Sequence, residues 1–146
     1  MSKADMAIET FKQGFNCSQA VLSVFTEELG LDREAAARIA SGFGGGIGHM
    51  AETCGAVTGA IMVIGLKKGM SIDGNTYKSN LLVYALVNDF VKKFTNHNRS
   101  IKCHDLLGVD FNDQEAYREA RNKGLFYTVC TKLVSDAVEI VEGIVE

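Results

Sequence analysis

The 146-residue sequence contains no proline and no tryptophan, and only 8% of it is aromatic. Proline removes a backbone donor and breaks helices from within, so its absence suits a chain built mostly of helix. A C-x-x-C pair is missing as well. That excludes a thioredoxin-type motif and removes the close ligand pairs used by zinc knuckles and ribbons. Charge of one sign is scarce: 15 basic residues face 18 acidic ones, for a net charge of −3. A chain so balanced offers neither the basic field that draws nucleic acid nor a polybasic membrane patch.

Long apolar runs are lacking too. The longest, Gly55 to Leu66, is roughly a dozen residues, whereas a membrane helix needs about twenty. The opening, MSKADMAIETF, has no basic region followed by an apolar core, so no secretory signal is read there. The expected location is cytoplasmic, where ordinary thiols stay reduced. The expected partners exclude nucleic acid and membrane, and the oligomeric state stays open, a homodimer included. No segment carries the period-two alternation of a half-buried strand.

Helical spacing and capping signals are what the chain does contain. A chain of this length buries roughly two-thirds of its unfolded surface and needs no disulfide to fold. The expectation is one domain over residues 1–146, all-α, a compact helical bundle. Ala7, Ile8, Phe11 and Phe15 share one face of a first helix that Gly14 can end as a left-handed cap. Asn16 and Gln19 form a capping-box pattern around Cys17, and that second helix is read as far as Gly30. Asp32 can cap a third helix, REAAARIAS. Thr53 is read as the cap of a fourth, with Cys54 its first residue and Lys67, Lys68 and Gly69 its stop. A long helix is expected from about Tyr77 to Phe94, with Val83, Val87, Phe90, Val91 and Phe94 inward. Asn112 with Glu115 reads as another capping box, Gly124 as a break, and the last helix carries Cys130, Val134, Ala137, Val138, Val141 and Val145 at helical spacing.

Four cysteines are the chemistry-bearing residues. Cys17 and Cys54 both fall at the first residue of an expected helix. Unpaired amides and the helix dipole there favour an anion, which would lower a thiol pKa and make it more reactive or a better ligand. Cys103, in SIKCHDLLG, lies at a loop-to-turn junction beside His104, and Cys130 lies on an apolar helix face. Small buried core residues are the competing reading for all four. The stretch GFGGGIGHMAE is glycine-rich from Gly42 to Gly48. It follows a helix rather than a strand, so its formal G-x-G-x-x-A is no dinucleotide fingerprint. Its glycines can bring backbone amides close to an anionic group, as nests do for phosphates and iron–sulfur clusters, or serve as a plain connector. Gly55 and Gly59 share a helix face, where they would allow a neighbouring helix to pack closely or keep space open around Cys54. His49 and His97 are read as solvated loop residues, and His104 as surface-placed.

Cys17 in NCSQAV, the run GFGGGIG, the block CGAVTG from Cys54 to Gly59, and the single later cysteines Cys103 and Cys130 resemble the C_GCAxxG_C_C family of redox-active proteins. The family shorthand prints Gly before Cys where this chain reads Cys-Gly-Ala. The resemblance runs from Cys17 to Cys130 and implies a redox role for Cys17, Cys54, Cys103 and Cys130, with Gly55, Ala56 and Gly59 as motif positions. The expected function is therefore a four-cysteine redox site, for electron transfer with an iron–sulfur cluster held by those thiolates or for thiol–disulfide exchange, acting with a redox partner. Gly45 and Gly46 of the loop, with Gly55 and Gly59, are the backbone positions expected beside a cofactor. The alternative is a non-enzymatic structural or interaction protein whose cysteines fill the core or hold zinc.

Overall fold

The computed structural model describes residues 1–146 as nine α-helices and one short 3-10 turn, with no strand. The helices are α1 (Lys3–Lys12), α2 (Cys17–Ser23), α3 (Thr26–Leu29), α4 (Arg33–Ala40), α5 (Gly55–Lys68), α6 (Thr76–Asn98), α7 (Cys103–Leu107), α8 (Gln114–Asn122) and α9 (Leu125–Val145). The all-α expectation therefore holds. No helix is long and apolar enough to cross a membrane.

Helix α5 occupies the middle of the bundle because it is apolar on all sides. Ala56, Val57, Ala60, Val63 and Ile64 are fully buried, and the helix packs on α2, α6 and α9. Burial covers a broad face rather than one narrow apolar stripe, with Thr58, Ile61, Met62 and Gly65 half-buried on the opposite side. One continuous core of 22 buried residues joins it to Val21 and Leu22 of α2, Phe90 and Phe94 of α6, and Leu133 to Val145 of α9. Two glycines let α2 approach α5. A Cβ at Gly59 would lie 2.8 Å from the Ser18 carbonyl oxygen and 3.0 Å from Val21 Cβ, and one at Gly55 would lie 3.1 Å from Cys17 Cβ. Close helix packing is therefore what Gly59 serves.

The capping box at α2 forms as its residues require. Asn16 Oδ1 accepts from the Gln19 amide and Gln19 Oε1 accepts from the Asn16 amide, both at 2.9 Å. The same two side chains bond outward, Asn16 to the Ser41 carbonyl and Gln19 to the Ala37 carbonyl. They thereby fix the start of α2, and Cys17 with it, against the end of α4.

Helix α6 runs on to Asn98, past the expected end at Phe94, and three other boundaries differ from the sequence reading for local reasons. The helix begun at Cys17 stops at Ser23 instead of running to Gly30. The Ser23 hydroxyl donates to the Ala20 carbonyl and the Thr26 hydroxyl to the Ser23 carbonyl, which competes with the helix ladder, and Gly30 ends the separate α3. Thr53 does not cap α5: it pairs with Lys102 in an isolated antiparallel bridge, and Cys54 becomes the N-cap. Asn112 does not cap α8, because its amide is held by Asp110, and Asp113 caps instead.

Candidate functional site

A backbone pairing between segments fifty residues apart builds half of the site. The Cys54 amide donates to the Ile101 carbonyl at 2.7 Å, and the Cys103 amide donates to the Glu52 carbonyl at 2.6 Å. With the bridge between Thr53 and Lys102, these bonds hold Cys54 and Cys103 side by side. Cys103 consequently opens α7 instead of lying at a loop-to-turn junction.

The glycine loop covers this pair in an unusual backbone conformation. Gly45, Gly46, Ile47, Gly48, His49 and Ala51 all have positive φ, between 56° and 71°. Such values are rare for residues with a Cβ and rarest for a β-branched one such as Ile47. Backbone bonds spanning six residues stabilise the turn: the Gly48 amide donates to the Gly42 carbonyl, Ala51 to that of Gly45, and Glu52 to that of Gly46. At Gly46 the requirement for glycine is steric as well as torsional. A Cβ there would lie 2.7 Å from Cys103 Cβ and 2.7 Å from the Glu52 nitrogen. No backbone carbonyl accepts from the Gly45 or Gly46 amide.

All four cysteines line one cavity of about 210 Å³. Cys17 enters from α2, Cys54 and Cys103 from the paired helix starts, and Cys130 from α9, where Phe126, Cys130 and Leu133 share the lining face. Gly45, Gly46 and Gly55 also line it, and Gly59 does not. All four thiols are free; Cys54 and Cys103 are buried, and Cys17 and Cys130 half-buried. Apart from the thiols, Asn16 and the glycines, the walls are apolar or aromatic, and no Asp, Glu, Lys or Arg is among them.

In these surroundings thiol ionisation runs opposite to the helix-start expectation. Cys17 is held well above the ordinary thiol range, first by a hydrogen bond with Cys130, then by burial. Burial pushes Cys54 up to about 11, with the amides of Ala56 and Val57 pulling partly back. Burial likewise pushes Cys103 up to about 12, helped by its thiol neighbours Cys54 and Cys130. Desolvation of an anion outweighs a helix terminus when the terminus itself is inside the protein. Cys130 goes the other way: the hydrogen bond from Cys17 lowers it, against the opposing effect of burial. The residue whose apolar helix face gave the least sign of chemistry is thus the one most disposed to form a thiolate.

The sequence reading missed the cavity's outer wall. His49 is an exposed loop residue as expected, but its ring also packs against Phe111 at 4.7 Å and against Tyr117 at 5.2 Å, and its Nε2 lies 3.1 Å from the Tyr117 hydroxyl. Phe126 completes the group, 4.9 Å from Tyr117 and 6.1 Å from Phe111. These four rings come from the glycine loop, the turn before α8, α8 and α9, so no local spacing announces them. His104 is exposed beside Asp105, as a surface residue would be. His97 lies on the last turn of α6 rather than in a loop.

The model of the family described as "Putative redox-active protein (C_GCAxxG_C_C)" matches residues 15–144, nearly the whole chain, and the chain belongs to that family. No curated protein and no solved structure matches it.

Proposed function

We propose that this member of the C_GCAxxG_C_C family is a dithiol redox protein in which Cys17 and Cys130 interconvert with a disulfide. The observation that supports this reading is the convergence of all four thiols on one cavity, where Cys17 and Cys130 are close enough to shift each other's ionisation. A thiolate is the nucleophile in such chemistry, and a neighbouring thiol held protonated is a suitable second member of the pair. The Cys130 thiolate attacks the oxidant. The Cys17 thiol then gives up its proton and displaces the reduced oxidant from the Cys130 sulfur. One S–S bond forms, and two electrons pass to the acceptor together with the Cys17 proton and one proton from solvent. Cys54 and Cys103, both held protonated, form a slower second pair.

An iron–sulfur cluster is the second reading, because the donor set suits it. Four thiols from separate elements face one cavity, and the Gly45 and Gly46 amides beside them have no backbone acceptor. Cys17, Cys54, Cys103 and Cys130 would hold such a cluster, which would supply one-electron transfer. A single ion such as zinc fits less well, since no three His, Cys, Asp or Glu side chains are gathered at single-ion spacing.

Protein purified without oxygen tests both. The dithiol reading expects a colourless protein that loses two thiols on oxidation, with a Cys17–Cys130 peptide found after digestion. A visible charge-transfer band would favour the cluster. Colourless protein with inert thiols would leave the cysteines as core residues.

A further inference from the structure

The aromatic wall facing the thiols is left unused by the chemistry so far, and it restricts what can reach them. Building on the dithiol reading, we infer that the oxidant is a neutral, planar two-electron acceptor of the quinone class. The first ground is charge. A small charged disulfide would bring carboxylates into a cavity lined by no Lys or Arg to pair with them, and burying an unpaired charge is costly. The second is shape: about 210 Å³ admits one substituted ring but not a protein loop.

The third ground is the wall itself. Phe111, Tyr117 and Phe126 offer faces and edges for a flat ring to stack on, an arrangement that adds specific attraction beyond burial. Tyr117 and His49 place a hydroxyl and a ring nitrogen, 3.1 Å apart, at the same wall. That pair can donate a hydrogen bond to a quinone oxygen and pass it a proton, where an apolar ring alone would be inert. His49 and Phe111 also line a second, polar cavity outside the first. Their rings, tilted at 33° to each other, therefore stand between the thiols and the exterior.

The reaction balances. The Cys130 thiolate, the Cys17 thiol and one proton reduce one quinone to one hydroquinone. The two sulfurs give up two electrons and become a disulfide.

The test mixes fully reduced protein, without oxygen, with duroquinone, whose ring has no C–H for a thiol to substitute. Quinone absorbance and the Cys17–Cys130 peptide are followed together. Diamide serves as a general thiol oxidant, and glutathione disulfide as a charged one. One duroquinone should be consumed per disulfide formed, and much faster than glutathione disulfide. Tyr117→Phe should lower the quinone rate relative to the diamide rate by about tenfold, the worth of one hydrogen bond. Phe111→Leu, which keeps apolar volume but loses the ring, should lower the same ratio. If diamide forms the disulfide but duroquinone does not, or if glutathione disulfide is as fast, the inference is wrong and the dithiol reading stands. If no oxidant joins Cys17 to Cys130, the dithiol reading falls and takes the inference with it.

Discussion

A thiol's position in sequence and its position in the folded protein can pull its ionisation in opposite directions, and the cysteines here separate the two. Cys17 begins a helix and Cys54 caps one, yet Cys17 is raised by its Cys130 hydrogen bond and by burial, and Cys54 by burial. Alkylation followed against pH should therefore label Cys130 first, with a midpoint below the ordinary value of 9. Cys54 and Cys103 should follow only toward about 11 and 12. Cys17→Ala should move the Cys130 midpoint upward, because it removes the hydrogen bond that favours the thiolate. A stability effect goes with these shifts. The unfolded chain releases the Cys54 proton near 9, while the folded chain keeps it to about 11. This contribution is fully present below pH 9 and is lost as pH rises from 9 toward 11. Its size is on the order of 3 kcal/mol for a two-unit rise. Unfolding free energies measured across that interval should fall in the native sequence and fall less in Cys54→Ala.

At the scale of helices, small residues decide how close two elements come. Gly59→Ala would set a Cβ 2.8 Å from the Ser18 carbonyl oxygen, between two buried helices with little freedom to part. It should cost roughly 1–3 kcal/mol in urea unfolding, as overpacking does. Gly65, in the same helix, has nothing within 4 Å of a Cβ, so Gly65→Ala should stabilise by roughly 0.5–1 kcal/mol through helix propensity. Opposite signs from two glycines six positions apart would separate packing from propensity. The same contrast explains what the sequence could and could not reveal. Capping by Asn16 and Gln19, the stops at Gly30 and Gly124, and the burial of α5 follow from neighbours within a few positions, and each is readable. The start of α7 at Cys103 depends on Glu52, about a third of the chain away. The ring contacts of His49 depend on Phe111 and Tyr117. Non-local pairing of this kind has no period to detect. The backbone run from Gly45 to Ala51 defeats sequence reading for another reason: Ile47, His49 and Ala51 accept a conformation that their side chains ordinarily avoid.

Across the whole molecule, order is unevenly distributed. Helix α6 buries Phe90 and Phe94 in its second half, but only Ser79 in its first. Tyr77, Leu81, Leu82 and Tyr84 are half or more exposed. Amides in the first half of α6 should exchange with deuterium well before those of α5, since local opening there uncovers little. The Cys17–Cys130 contact has a larger consequence. It ties α2, near one end of the chain, to α9 at the other. A covalent bond there would close a ring of roughly 110 residues, and the chain-entropy model values such a closure at about 4–5 kcal/mol. By linkage, the fold would make that bond harder to reduce by roughly 90 mV relative to the unfolded chain. The melting temperature would then report redox state directly: oxidised protein should melt well above reduced protein, and the difference should vanish in Cys130→Ser. Such a molecule would record its last oxidant as rigidity.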